Sequence, residues 1–324
     1  MIDFATVDAL LRDAVGRVFP AAQLIAVDHF SLVFERAVGE CDPETLFDVA
    51  SLTKPLSTTM LAMMAIDEGA LALDDRPRNE LTVEHLLTHS SGLPAWKLLG
   101  ATRAEVLRAV AAEPLESPPG SVARYSDLGF ILLGAAVEHA LGEPLDAAFA
   151  RRVAQPLGIG TRFNPQERAR CAPTEGELRG VVHDENARAM GGVAGHAGLF
   201  STARDVSRIV RALVAAWHGV RSTSTPRLLP AARVRQMWTP STVPGSTWCL
   251  GWDRPSATGS SAGERWPKDG VGHLGFTGCS IWIDPPRARW VVLLSNRVHP
   301  TRANHAIKQL RPQLHDAIVS ALDS

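Results

Sequence analysis

Positive charge in this chain is almost never lysine: Lys54, Lys97, Lys268 and Lys308 are the only ammonium side chains, and all other basic charge is arginine. Tyrosine is scarcer still, occurring once, at Tyr125. The cysteines, Cys41, Cys171, Cys249 and Cys279, are scattered without a C-x-x-C pair, which excludes a zinc ribbon or a thioredoxin-type site. In a chain this long they are expected to be free buried thiols rather than a disulfide framework. No apolar run approaches the ~20 residues of a membrane span. Met1-Ile2-Asp3-Phe4 carries no basic stretch leading into an apolar one, so a soluble, non-exported, cytoplasmic protein is expected. The net charge of −1 leaves no electrostatic footprint for nucleic acid or an anionic membrane; the expected partner is a small-molecule or peptide substrate, uncharged or of mixed charge.

What remains is the composition of an ordinary globular protein, with 45% hydrophobic and 21% charged residues over 324 positions, enough to bury a sizeable core. Helical spacing of apolar residues predicts helices over 5–17, 51–68, 83–88, 103–112, 127–141, 145–153, 203–217 and 302–322. Strands are predicted at 22–27, 31–34, 248–252, 278–283 and 290–295, and the Ser/Thr/Pro/Gly-rich stretches 221–226 and 256–263 read as surface loops. Strands cluster at both ends and helices in the middle. That distribution predicts an α/β (α+β) fold: an antiparallel sheet from both chain ends, flanked by terminal helices, with a mostly helical part inserted. The chain reads as a single domain, its α/β part covering roughly 1–50 and 245–324 and its helical part 51–244, with a site in the cleft between them.

Three short motifs carry chemistry. Ser51-Leu52-Thr53-Lys54 opens a long apolar helix, and residues three apart share a helix face, so the Lys54 amine reaches the Ser51 hydroxyl. A serine hydroxyl needs such a base, and a helix N-terminus favours the anion that develops on attack. Lys54 serves as a base only if burial or neighbouring positive charge lowers its pKa from about 10.4. Alone the S-x-x-K spacing arises about once by chance in a chain of this size. Tyr125, in Tyr125-Ser126-Asp127, precedes a helix and is placed to relay the Ser51 proton; a lone tyrosine would more often be a core residue. His273-Leu274-Gly275-Phe276 precedes an apolar strand. There Gly275 would let substrate lie along the strand edge, and the Phe276 amide would join that of Ser51 in an oxyanion hole.

As an ordered set these motifs resemble the serine β-lactamases of class C and the related penicillin-binding proteins, D-amino-acid peptidases and esterases. Leu86-Leu87-Thr88-His89-Ser90-Ser91-Gly92-Leu93 and the segment 198–205 resemble further family motifs, so the likeness spans nearly the whole chain. It implies catalysis by Ser51, Lys54 and Tyr125 and substrate contacts from Asp127, His273, Gly275 and Phe276, with an acyl-enzyme intermediate and no cofactor. Asp127 stands where the family often has asparagine, and His273 where many β-lactamases have lysine. A neutral imidazole and an extra carboxylate predict weak attraction for an antibiotic carboxylate, hence a poor β-lactamase and a better amidase, esterase or peptidase.

Val182-His183-Asp184-Glu185-Asn186-Ala187, the glycine-rich 191–198 segment and Ser295-Asn296-Arg297-Val298-His299-Pro300 resemble the branch that turns over cell-wall muropeptides. The alternatives are a true β-lactamase or D,D-carboxypeptidase, and a non-catalytic muropeptide- or penicillin-binding sensor. His183, Asp184, Glu185 and His196 lack the H-x-x-x-H spacing of a helical zinc site, so a hydrogen-bonded loop at the cleft mouth is expected and no metal.

Overall fold

The computed structural model describes residues 2–220 and 226–324. Strands run over β1 (Ala21–Asp28), β2 (Ser31–Gly39), β3 (Phe47–Asp48), β4 (Arg162–Phe163), β5 (Leu199–Ser201), β6 (Val271–Leu274), β7 (Ser280–Asp284) and β8 (Arg289–Ser295). Helices are α1 (Ala5–Ala14), α2 (Met60–Asp67), α3 (Val83–Leu87), α4 (Arg103–Ala112), α5 (Asp127–Leu141), α6 (Leu145–Phe149), α7 (Gln155–Leu157), α8 (Glu185–Ala189), α9 (Ala203–Trp217), α10 (Ala231–Met237) and α11 (Ile307–Leu322). Among the described residues no single helix is long and apolar enough to cross a membrane.

The main sheet is antiparallel, in the order β2-β1-β8-β7-β6. Its two central strands read as continuous apolar runs because both faces are covered, and alternate residues go to opposite sides. Leu24, Ala26, Val291 and Leu293 pack with Val7 and Leu11 of α1 and Leu314 and Ile318 of α11. Ile25, Val27, Val292 and Leu294 join the larger core, which includes Val206, Ile209 and Leu213 of α9. Trp290 Nε1 donates to Ser207 Oγ at 2.8 Å, tying sheet to α9. Fully burying each such aliphatic side chain contributes roughly 1.5–3 kcal/mol.

The small sheet, β3-β5-β4, matters for the site. It joins the segment leading to Ser51 with the one that follows His196: the Val49 amide donates to Leu199 O and the Leu199 amide donates to Thr53 Oγ1, both at 3.1 Å.

Several sequence-based expectations shift. The helix expected over 51–68 is helical throughout but not uniform: a 3-10 turn at Ala50–Leu52, a π turn at Lys54–Thr59, then α2. Pro55, which has no N–H to give, sits in the widened turn. The strand expected at 248–252 is irregular. Gly251 has φ +70°, and the Cys249 amide turns back onto Trp252 O at 2.7 Å, so the aromatic pattern there reflects burial rather than extension. The final helix begins at Ile307, not near 302, because Arg302 is held by Glu175 and Glu185 and Asn304 Oδ1 accepts from the Ala306 amide. His273 precedes the expected apolar strand, β7, and itself lies within a further strand, β6. The 256–263 loop is irregular as expected, while 221–225 of the other expected loop lie outside the described residues.

Candidate active site

Ser51 sits in the 3-10 turn behind Ala50, whose φ of +48° is rare for a residue with a side chain. Asp48 holds that turn: one carboxylate oxygen accepts from the Ala50 amide at 2.8 Å, the other from the His183 amide at 2.7 Å. Burial pushes the Asp48 pKa up to about 6, against the pull of those two amides.

Lys54 is fully buried, where an amine needs partners on every side. It has them. Nζ lies 3.0 Å from Ser51 Oγ, 2.5 Å from Tyr125 Oη, 2.6 Å from Asp127 Oδ1 and 3.2 Å from the His196 carbonyl oxygen. Tyr125 Oη is 2.7 Å from Ser51 Oγ, closing a triangle of serine, lysine and tyrosine. Burial pushes the Lys54 pKa below that of a free amine, with Asp127 acting in the opposite direction. Burial and then the Asp127 carboxylate push the Tyr125 phenol well above its ordinary value.

Tyr125 and Asp127 are placed by the start of α5. The Ser126 hydroxyl caps that helix by accepting from the Gly129 amide at 3.1 Å, and the Asp127 amide donates to Ala95 O at 2.8 Å. His89, at φ +54°, accepts from the Ser126 amide through Nδ1 at 3.1 Å and lays its ring 4.7 Å from that of Tyr125. In sequence His89 marks only a family-like loop; in the fold it fixes the tyrosine. Trp248, singled out from sequence only as a strand residue, packs on His89 with ring centroids 4.3 Å apart.

The glycine-rich run 191–198 has a steric cause. A Cβ on Gly195 would lie 2.0 Å from the Phe130 carbonyl oxygen and 3.0 Å from Gly134 Cα, so this loop meets α5 backbone to backbone. That approach carries the His196 carbonyl onto Lys54 and lets Thr58 Oγ1 donate to Gly195 O at 2.7 Å. His196 Nε2 is 2.6 Å from Asp184 Oδ1, which also accepts from the Ala187 amide. Burial alone would raise the Asp184 pKa, but His196 and the Ala187 amide hold it far below the carboxylate range. His183 pairs with Glu175, and Glu185 with Arg302. Among the described residues no cluster of three or more His, Cys, Asp or Glu side chains is placed to hold a metal.

From the sheet side, β6 brings His273 against the same centre, its ring 6.3 Å from that of Tyr125. Burial and the nearby Lys54 push its pKa down to about 3, so the imidazole is neutral in working buffers. Gly275 has a steric role beyond the one read from sequence. A Cβ there would lie 2.5 Å from the Val49 carbonyl oxygen, so its missing side chain makes room for the Ser51 segment. Phe276 is exposed, stacked on His183 and covered by Arg297 at 4.4 Å. Asp127, expected to weaken attraction for an anionic ligand, lines the cavity and turns Oδ1 to the Lys54 amine.

All seven residues singled out from sequence except Lys54 line one cavity of about 660 Å³. Lys54 lies directly beneath its Ser51 and Tyr125 wall. Trp96, Arg297, Arg302, Lys308 and Arg311 line it too and were not singled out as site residues. Arg311 is buried and, among the described residues, pairs with no carboxylate; burial lowers its pKa to about 10, and its Nη2 donates to the Gly275 and Cys279 carbonyls.

The beta-lactamase family model matches residues 7–314 of this chain. A protein of Escherichia coli provisionally named a D-alanyl-D-alanine carboxypeptidase is 29% identical, the match covering 90% of this chain and 82% of that protein. The N-acetylmuramyl-L-alanine amidase of Bacillus subtilis is 27% identical, over 90% of this chain and 80% of its own length. Among solved structures, a penicillin-binding protein homologue from Caulobacter crescentus has the same fold, with a TM-score of 0.79 at 19% identity and coverage of 98% and 97% of the two chains.

Proposed function

The chain belongs to the beta-lactamase family of serine hydrolases, and from that membership we propose that Ser51 is the nucleophile of a two-step hydrolysis through an acyl-enzyme. The observation that carries this is the pair of contacts on Ser51 Oγ, 2.7 Å from Tyr125 and 3.0 Å from Lys54, at the wall of the cavity. A donor inventory supports Lys54 as the base. Two of its four partners, the Asp127 carboxylate and the His196 carbonyl, only accept; a neutral amine gives them its two N–H groups and leaves its one lone pair for the Ser51 O–H, while Tyr125 Oη donates to Ser51 Oγ. Burial favours that neutral form.

Ser51 Oγ attacks an amide or ester carbonyl, its proton passes into the Lys54–Tyr125 pair, and the pair returns it to the leaving group. Water then repeats the sequence and releases the acid. The Ser51 and Phe276 amides serve the oxyanion.

For substrate we propose a muropeptide, cut at an amide bond. Arg297, Lys308 and Arg311 on the cavity wall suit the carboxylates of such a peptide, and the amidase and carboxypeptidase names of the relatives support it. A D,D-carboxypeptidase is the second reading, favoured by the same arginines as a seat for a terminal carboxylate.

Intact-mass analysis after a fluorophosphonate probe should give one adduct on the native chain and none on Ser51→Ala. Labelling that survives the substitution overturns the assignment. With a muramyl peptide, release of the whole peptide marks an amidase and release of D-alanine a carboxypeptidase. One equivalent of product without steady turnover marks a sensor.

A further inference from the structure

Asp127 meets Lys54 from the first turn of α5, with Oδ1 2.6 Å from Nζ. The amine is wholly buried and the carboxylate nearly so, at 14% exposure. The other titratable groups facing Lys54 come from four further segments: Tyr125 ahead of α5, His89 after α3, Asp184 ahead of α8 and His273 in β6. Burial keeps both imidazoles neutral, and any positive charge on Lys54 acts in the same direction. Asp184 is engaged by His196 and the Ala187 amide. Among the described residues Asp127 alone therefore combines a negative charge with a hydrogen bond to the amine.

We propose that Asp127 is the counter-ion of Lys54, a positioning residue that fixes the charge of the Lys54–Tyr125 pair and so the pH at which Ser51 is activated, instead of a group that binds substrate. The proposal rests on the reading of Ser51 as nucleophile. As the Oγ–carbonyl carbon bond forms, the Ser51 proton moves to Nζ, directly or through the Tyr125 hydroxyl. The ammonium so created already faces a carboxylate, and as the bond to the leaving group breaks the same proton leaves with it. An amide oxygen at 127 still accepts a hydrogen bond from Lys54, a weaker one, and supplies no charge. The carboxylate favours the ammonium of Lys54 and disfavours the phenolate of Tyr125, so both effects move activation to higher pH.

The test is the rate of fluorophosphonate labelling of Ser51 between pH 5 and 10 in native protein and Asp127→Asn. The ascending limb should move to lower pH in the variant by about 1–3 units, the usual effect of one opposite charge in contact. A limb that stays in place while the rate scales uniformly, or that moves to higher pH, overturns the proposal. Absence of any Ser51 label on native protein would instead overturn the nucleophile reading. Should the Asn variant not fold, Asp127→Ser carries the same test, because the helix cap belongs to Ser126. Carbon-13 NMR of the lysine side chains reads the charge without turnover, since only Lys54, Lys97, Lys268 and Lys308 contribute signals. The Lys54 titration must fall in pH in the variant; an unmoved midpoint overturns the proposal.

Discussion

Replacing Gly275 with alanine adds one methyl group to the turn after β6 and should disable the enzyme without removing any functional group. The new Cβ would lie 2.5 Å from the Val49 carbonyl oxygen and 3.0 Å from Cys279 Cβ, where an ordinary contact begins near 3.4 Å. Relief requires about 0.9 Å of movement. The strand side is held: the Gly275 amide donates to Cys279 O at 2.8 Å, and Arg311 grips both carbonyls at 3.0 and 2.7 Å. The displacement therefore falls in good part on Val49, two residues ahead of Ser51. A misplacement near 1 Å costs about 10²-fold in rate, and overpacking typically costs about 1–3 kcal/mol of stability. The assay is kcat on a p-nitrophenyl ester beside the rate of fluorophosphonate labelling and a thermal melt, and all three should fall. If Gly275 served only to admit substrate, KM for a bulky muramyl peptide would rise while the small probe reacted as before. That result, or native rates and Tm throughout, would refute the steric account.

Lys54→Ala and Tyr125→Phe should each lower kcat by about 10²–10⁴-fold, and the double variant should lose far less than the product of the two, as for groups that work as a unit; strict multiplicativity in the same ester assay would separate them. His273 is neutral above about pH 3, so His273→Gln should leave the shape of the acylation pH profile between 5 and 9 unchanged, and a displaced limb in stopped-flow acylation would show that the imidazole titrates there. The folded-state pKa of Asp184 is depressed, so its pairing stabilises the fold above the unfolded-state value and is lost as pH falls below it. Denaturant melts of native protein and Asp184→Asn should thus differ by about 1–3 kcal/mol near pH 5, a gap that shrinks below roughly pH 4; a gap that grows below pH 4 would reverse the sign.

The sheet was legible where a long apolar run marked a strand covered on both faces, as in Ala21–Asp28 and Arg289–Ser295, and so were α4, α5 and α9, whose ends were read to the residue. The two- and three-residue strands of the small sheet were not, because so short a segment carries no period. The Ser51, Lys54 and Tyr125 triangle was visible as ordered motifs, since helix spacing brings Ser51 to Lys54 and the family order supplies Tyr125. The meaning of Asp127 and Gly275 was not, because each depends on a neighbour distant in sequence: a buried amine for one, the Val49 carbonyl for the other. The arginines around the cavity escaped for the same reason, arriving from a loop and α11 that only the fold brings to the site.

The bare contact between Gly134 and Gly195 turns α5 into a ruler. Asp127 stands at its first residue and Gly134 seven residues on, about 10 Å along the axis. Lys54 therefore takes one acceptor from the end of this rod and a second, the His196 carbonyl, from a loop clasped to its middle. Tilting or sliding α5 displaces both oxygens together, so the amine's surroundings shift as one body and keep their internal spacing. A larger residue at 134 or 195 would break that linkage, moving the carbonyl while leaving the carboxylate behind.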